Sequence, residues 1–256
     1  MDVFYLIVFF LFGLVFGSFY NVVGLRLGKG ESIAFPSSHC PKCGHSLKFY
    51  ENIPVISYIF LKGKCKKCKE KISIMYPVVE LFTGILFTLC YYSFGLNIEL
   101  VIALLISSLF VIIIVTDLNF YIIPDSIIIV FGILIFVYNI ISKGFMDACT
   151  CVVYGLSMFI FMFALMKLGN FLFKEESLGG GDIKLMGILG MTLSPLLSFS
   201  SLTLAALIAL PGSLFFYLKR KDKIIPFGPF IVGGFLIIIF SKIDTSLLMD
   251  LITFIN

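Results

Sequence analysis

Charged residues are scarce in this chain of 256 residues: they make up 13% of it, whereas 60% of the residues are hydrophobic. A soluble domain is about one quarter charged. So few polar side chains cannot cover the apolar surface of a water-soluble fold, and lipid must therefore be the main solvent. The composition excludes an ordinary soluble enzyme and predicts an all-α polytopic membrane protein.

Histidine is also rare, which removes several kinds of catalytic site. His39 and His45 are the only two histidines and share one polar segment. No Ser–His pairing is therefore available, and no HExxH motif is present. The glycine run at 179–181 lacks the following Lys-Ser or Lys-Thr of a P-loop, and no dinucleotide fingerprint is found. A signal-peptide cleavage box is not evident either. The first apolar run, 3–25, is instead long enough to span a membrane and ends at Arg26.

Long apolar runs predict roughly eight transmembrane helices, since one crossing takes about 20 apolar residues. The predicted spans are 3–25, 76–94, 98–116, 126–142, 147–168, 183–198, 199–218 and 227–241. The pair 183–198 and 199–218 forms one apolar stretch, interrupted only around Ser194-Pro195 and 198–201. The tail at 242–256 is amphipathic and is expected to lie at the membrane interface.

Lysine and arginine set the expected orientation, because they are enriched in cytosolic loops. The segment 26–75 holds ten of the nineteen basic residues and is therefore expected in the cytosol. Counting crossings then places the N-terminus outside and both Asp117 and Asp182 on the cytosolic side. The basic cluster at 219–223, which played no part in this choice, also falls inside. The predicted regions are a first helix at 1–25, an insert at 26–75, a membrane bundle at 76–241 and the tail at 242–256.

Four of the seven cysteines form two CxxC pairs in the insert, Cys40–Cys43 and Cys65–Cys68. In a reducing compartment such pairs favour zinc over disulfides, and two of these turns can close a tetrahedral site. Four thiolates leave no position for a water molecule, so the predicted zinc is structural. Gly44 suits the tight turn after the first pair, whereas Lys69 stands at the equivalent place in the second. The alternative is a set of four ordinary thiols.

Two aspartates at the edges of apolar runs are the candidate catalytic residues, because charges at membrane depth are costly and tend to be functional. Asp117 ends one run, and Asp182 follows Gly179-Gly180-Gly181 and begins another. If the two carboxyl groups meet, they share a proton, activate a water and polarise a scissile carbonyl, as in aspartic proteases. The glycines would allow close approach and unusual φ angles beside a peptide substrate. Alternatively, Asp182 is the N-cap of a helix after a flexible loop.

Three further residues are possible supporting residues. Asp125 follows Pro124 and precedes an apolar run, which mainly predicts a helix N-cap. Glu80 lies one turn into the second span and either pairs with a basic side chain or faces substrate. Lys184 lies two residues beyond Asp182.

Several short motifs follow one another along the chain. They are Gly17-Ser18-Phe19-Tyr20-Asn21 with Arg26, Pro36-Ser37-Ser38, the two CxxC pairs, Asn52-Ile53-Pro54, Tyr76-Pro77-Val78-Val79-Glu80, Asp117 through Ile123-Pro124-Asp125, and Gly179-Gly180-Gly181-Asp182-Ile183-Lys184. In this order they resemble the type IV prepilin peptidases, and the last fits the GxGD signature of membrane aspartic proteases.

The resemblance implies that Asp117 and Asp182, and not Asp125, form the catalytic pair. It implies prepilin or pseudopilin substrates whose basic leader is cut at the cytosolic face of the bacterial inner membrane. It also implies methylation of the new N-terminal amine with S-adenosylmethionine, because members with the tetracysteine insert are generally bifunctional. The sequence names no residues for that cofactor and does not give an oligomeric state. The expected partners are the substrate and the lipid bilayer, with no nucleic acid.

Two other functions compete with a protease. A transporter or ion carrier could use Asp117 and Asp182 as coupling carboxylates, but such sites usually lie near the midplane between repeated halves, and no repeat is visible here. A non-enzymatic scaffold could bind a partner through its zinc insert, but it would leave the aspartates and the glycine run without a role.

Overall fold

The computed structural model describes residues 2–174, 178–220 and 226–243, without the side chains of 213–220. Outside the insert at 26–75, which consists mainly of turns with two isolated β-bridges, these ranges are mainly helical, and none of the described residues forms a strand. The predicted all-α membrane class is confirmed. The helices are α1 (Val3–Gly28), α2 (Ile56–Phe60), α3 (Met75–Phe94), α4 (Ile98–Phe120), α5 (Asp125–Lys143), α6 (Phe145–Phe173), α7 (Gly180–Leu189), α8 (Pro195–Arg220) and α9 (Gly228–Ser241), with a short 3₁₀ helix at Phe49–Glu51.

Six helices of the described ranges are long and apolar enough to cross a membrane: α1, α3, α4, α5, α6 and α8. The predicted spans 183–198 and 227–241 correspond to α7 and α9, which have 10 and 14 residues. Both are shorter than the roughly 20 residues of a full crossing. The count of eight spans is therefore not confirmed. The predicted tail at 242–256 lies outside the described residues from 244 onward.

The break between α7 and α8 lies at one of the two predicted interruptions. The helix α7 ends at Leu189 and α8 begins at Pro195, so the break at 190–194 adjoins the predicted Ser194-Pro195, whereas the predicted interruption at 198–201 lies inside α8. Proline suits the first turn of a helix, where its missing N–H costs nothing. The Ser201 hydroxyl donates to the Ser198 carbonyl at 2.7 Å, which lets a serine-rich stretch remain helical.

The chain divides into two compact units, residues 1–100 and 101–256. In the first unit, α1 packs along α3 at very short range. A Cβ atom on Gly13 would lie 2.6 Å from the Thr83 carbonyl oxygen, and one on Gly17 would lie 2.8 Å from the Glu80 Cα. Small residues allow this approach between membrane helices, and the insert between α1 and α3 belongs to the same unit.

In the second unit, α7 lies against α5 and α6. Lys184 contacts Asp125, the first residue of α5. Near the last turn of α5, the Asn139 amide donates to the Met191 carbonyl at 2.9 Å. The short helix and its following turn thus extend along most of α5.

The helix α9 packs against α8 in the opposite direction. A Cβ atom on Gly234 would lie 2.4 Å from the Ser201 carbonyl oxygen near the start of α8. Nearer the start of α9, the Phe230 ring would lie 2.7 Å from a Cβ atom on Gly212. The start of α9 therefore lies towards the end of α8.

Candidate active site and cysteine cluster

Asp117 lies in the last turn of α4, and its side chain is buried. Its Oδ2 atom accepts a hydrogen bond of 3.1 Å from the backbone N–H of Gly228, the first residue of α9. The first N–H groups of a helix have no partner inside that helix, and the helix dipole favours negative charge at this end. The start of α9 is therefore suited to hold the charged form of Asp117.

Asp182 is the third residue of α7, outside the six candidate spans. Its carboxyl group accepts a hydrogen bond from the backbone N–H of Gly179. Burial raises the pKa of the Asp182 carboxyl to about 7, and the neighbouring charge of Asp117 acts in the same direction. The two aspartates, far apart in sequence, are thus close enough to influence each other's protonation.

Ile123 joins the three chain segments at this site. A Cβ atom on Gly181 would lie 3.0 Å from the Ile123 Cβ. A Cβ atom on Gly228 would lie 3.1 Å from the Ile123 Cδ1 and 3.0 Å from the Asp117 Oδ2. The loop after α4 and the starts of α7 and α9 therefore meet without room for a side chain at either glycine.

The glycine run matters because it lacks side chains, and not because it takes unusual dihedral angles. Gly179 has a φ of −69°, and none of the three glycines has a positive φ. The expectation of unusual φ angles was therefore wrong. Gly181 packs tightly, whereas a Cβ atom on Gly180 would meet nothing within 4 Å. Open space therefore lies beside the backbone two residues before Asp182.

Neither aspartate that was considered as an N-cap is one. Pro124 is the cap of α5, and Asp125 is its first helical residue, because the fixed φ of proline already starts the helix. The Asp125 carboxylate instead accepts a hydrogen bond of 2.7 Å from Lys184 Nζ, with both side chains exposed. Gly179 is the cap of α7, and Asp182 reaches back to it from the third position, as in a capping box.

Glu80 lies in the first unit, where its side chain is buried in α3. It accepts hydrogen bonds from the Val55 backbone N–H at 2.7 Å and from the Ser18 hydroxyl. No basic side chain of the described ranges lies within ion-pair distance of it. Of the two alternatives for Glu80, pairing with lysine or arginine is therefore not found in these ranges.

The four insert cysteines form one cluster, with all sulfur atoms within 4.8 Å of one another. The Cys40 and Cys68 sulfurs are 3.7 Å apart, and those of Cys43 and Cys65 are 4.0 Å apart. A tetrahedral site with Zn–S bonds of about 2.3 Å separates its sulfurs by about 3.8 Å. The N–H groups of Cys43 and Lys42 also lower the pKa of the Cys40 thiol to about 7. The cluster could thus bind a metal such as zinc.

The two CxxC turns have the same backbone hydrogen bonds. The Cys40 N–H donates to the His45 carbonyl, and the Cys40 carbonyl accepts from the Gly44 N–H. In the second turn, Cys65 makes the corresponding bonds to Glu70 and Lys69. Gly44 has a φ of 66° and Lys69 a φ of 59°. The second turn therefore takes the left-handed conformation that favours glycine, although its residue there is lysine.

Sequence reasoning missed two residues that the structure brings to these sites. Gly228 holds Asp117, and its setting in Pro226-Phe227-Gly228-Pro229, just before an apolar run, was an available signal. Glu51 is buried beside the first CxxC turn, where it accepts bonds from the Lys48 N–H at 2.9 Å and from His45 at 3.1 Å. These contacts, led by the Lys48 N–H, lower the pKa of Glu51. No local pattern marked it.

Comparison with known proteins finds two family matches. Residues 11–94 match the bacterial peptidase A24 N-terminal domain, and residues 103–214 match the type IV leader peptidase family. The chain is 36% identical over 229 residues to a prepilin leader peptidase/N-methyltransferase of Bacillus subtilis, covering 88% of this chain and 90% of that protein. A protein of the same name from Vibrio cholerae is 30% identical over 253 residues, covering 94% and 98%.

A third relative of that name, from Myxococcus xanthus, is 41% identical over 186 residues, which cover 72% of this chain and 55% of that protein. No solved structure matches the chain.

Proposed function

Because the chain belongs to the type IV leader peptidase family, we propose that it cleaves the basic leader from type IV prepilins and pseudopilins. The observation that carries the proposal is the approach of two aspartates from distant helices. Asp117 lies close enough to Asp182 for its charge to help raise the pKa of the Asp182 carboxyl. Such coupling is the basis of aspartic protease chemistry. A transporter or ion carrier finds no support in the matched relatives.

The two aspartates have different proposed roles. Asp117 is buried and Asp182 is half-buried, and each accepts a backbone N–H, Asp117 from Gly228 and Asp182 from Gly179. Burial together with the charge of Asp117 raises the pKa of the Asp182 carboxyl to about 7, so the shared proton is assigned mainly to Asp182. Asp117 takes a proton from the attacking water, and Asp182 hydrogen-bonds to the scissile carbonyl oxygen. When the tetrahedral intermediate collapses, the C–N bond breaks and the leaving amine takes the proton from Asp117.

The space beside Gly180 is the proposed path of the substrate backbone. A peptide in extended form needs access to the carboxyl groups without intervening side chains, and Gly180 leaves that space open. We further propose that this end of the bundle faces the cytosol and that the N-terminus lies outside, as the basic residues at 26–75 predict. The site would then lie where the leader joins the apolar pilin segment.

N-methylation of the new N-terminal residue is the second proposed activity. S-adenosylmethionine supplies the methyl group, and the insert at 26–75 is assigned to this reaction. Zinc at Cys40, Cys43, Cys65 and Cys68 is proposed to be structural, since four thiolates fill its coordination. When bound, the metal would fix the two CxxC turns relative to each other.

Co-expression with a prepilin tests the peptidase. The chain should yield the leader-shortened product, and Asp117→Ala or Asp182→Ala should abolish it. Asp147→Ala, which removes an exposed carboxylate from the first turn of α6, is the matched control and should process normally. Full processing by either active-site variant would refute the assignment.

A further inference from the structure

The first unit contains a cavity of about 600 Å³ at the junction of α1, α3 and the insert. Small-molecule sites usually measure about 300–1,000 Å³. Ser18 and Glu80 line it from the membrane helices, and Cys40 and Cys65 line it from the CxxC turns. Lys29 is an exposed lining residue, so the cavity is open to solvent. We propose that this cavity is the S-adenosylmethionine site, an inference that rests on the methylation proposed above.

Glu80 supplies the first reason. Its side chain is 94% buried, because its relative exposure is 6%. Its two described partners, the Val55 N–H and the Ser18 hydroxyl, are both neutral. A buried carboxylate without a counter-cation is costly, and a cationic ligand group offsets that cost. The sulfonium of S-adenosylmethionine carries such a charge.

The mixed charge of the lining supplies the second reason. Arg26 and Lys29 line the same cavity as Glu80. Arg26 uses one terminal nitrogen to hold the Ser32 and Ile33 carbonyls, and its guanidinium has five N–H donors in all. The methionine part of the ligand is a zwitterion with an added sulfonium, so it requires groups of both signs. A cavity for a wholly basic leader peptide would not need these cations.

Two aromatic rings supply the third reason. Tyr58 and Tyr76 line the cavity. Aromatic faces stack with planar rings such as adenine and attract a ligand cation within about 6 Å of the ring centroid. Gly63 leaves room for the Tyr58 ring, because a Cβ atom at this position would lie 2.9 Å from the Tyr58 hydroxyl oxygen. The CxxC turns thus form a wall of the cavity, which gives the cysteine cluster a direct part in shaping the cofactor site.

Comparison of two ligands tests the proposal on the full-length, zinc-loaded chain in lipid nanodiscs. S-adenosylhomocysteine keeps the adenosine and amino-acid groups but has a neutral thioether in place of the sulfonium. Isothermal titration should show that Glu80→Gln weakens S-adenosylmethionine binding by about tenfold or more, while S-adenosylhomocysteine changes by less than about threefold. Glu99→Gln removes an exposed carboxylate outside the cavity and should change neither affinity.

Lys29→Gln gives a second pattern and does not depend on a buried position. Lysine at the mouth would attract the carboxylate that both ligands share, so this variant should weaken both equally, by about threefold. Thermal unfolding of each variant confirms that it is folded. The proposal is overturned if Glu80→Gln leaves the S-adenosylmethionine affinity unchanged, or if a folded Glu80→Gln protein loses both ligands equally. Methyl transfer from S-adenosylmethionine to a cleaved pilin N-terminus by the unaltered chain is measured alongside, so a misplaced cofactor site is distinguished from a chain that does not methylate.

Discussion

At the scale of single residues, the contact between Gly228 and Asp117 carries much of the proposed chemistry. The Gly228 N–H lies 3.1 Å from Asp117 Oδ2, and no side chain fits at this position. A hydrogen bond to a carboxylate stabilises its charged form and fixes its orientation. The sequence marked Asp117 as an isolated acid at the end of an apolar run, but the donor lies more than one hundred residues further along, as the positions 117 and 228 show.

Gly228→Ala should slow leader cleavage by about tenfold or more, because a Cβ atom 3.0 Å from Asp117 Oδ2 and 2.9 Å from Ile113 Cγ2 must displace the carboxylate. The effect should fall on kcat, with little change in KM. Gly233→Ala is the matched control in α9, because its Cβ atom would make only an ordinary contact of 3.6 Å with Phe110. Equal rates for the two variants would argue against a positioning role.

The pKa of Asp182, raised to about 7 by burial and by the charge of Asp117, predicts the pH dependence of cleavage. The proposed mechanism needs the protonated form of Asp182, which is lost as the pH rises through that value. The kcat/KM for a prepilin should therefore fall on the alkaline side of about pH 7, and the pair should titrate as a unit. A rate that stays constant from about one pH unit below that pKa to about two units above it would contradict these roles.

At the scale of helices, the sequence located the apolar elements well and their ends less well. The predicted spans 76–94 and 126–142 match α3 and α5 to within one residue at each end. Proline and polar residues beside these runs mark where they begin and end. The predicted span 183–198 ran past the turn at 190–194, because that turn is too short and too weakly polar to interrupt the apolar stretch, although Ser194-Pro195 marked its end. The ten-residue helix α7 is defined by its packing on α5 and α6, including Asn139 bonded to the Met191 carbonyl. That contact joins distant residues and leaves no local signal.

Asp125→Ala should retain leader cleavage within about threefold of the unaltered chain. The Asp125–Lys184 pair links α5 to α7, but the two side chains are 65% and 47% exposed. Exposed ion pairs contribute only about 0–1 kcal/mol. Parallel assays with Lys184→Ala should give a similar small effect, and a loss of a hundredfold in either variant would assign this pair to the catalytic machinery.

At the scale of the whole molecule, each compact unit holds one of the two sites. The cysteine cluster and the cavity belong to residues 1–100, and the aspartates belong to residues 101–256. The sequence predicted the cysteine site closely, because CxxC spacing encodes a turn whose geometry is local. It could not predict the cavity, which is formed by residues from α1, α3 and the insert together.

Cys65→Ser should remove zinc from the purified chain and make the insert sensitive to proteolysis, because Cys65 is buried and provides one of four clustered sulfurs. Cys149→Ser, in α6, is the control and should leave the zinc content unchanged. Metal analysis and limited proteolysis measure the two effects. A zinc content that survives Cys65→Ser would exclude the four-cysteine site.

The proposed aspartate dyad is tested most directly by the cleavage rates of Asp117→Asn, Asp182→Asn and the double variant on one purified prepilin. Groups that act as a unit are not additive, since removing either one abolishes the shared function. All three variants should therefore fall to the same residual rate. A single variant that keeps the rate of the unaltered chain, or a double variant whose loss is the product of the two single losses, would contradict a dyad.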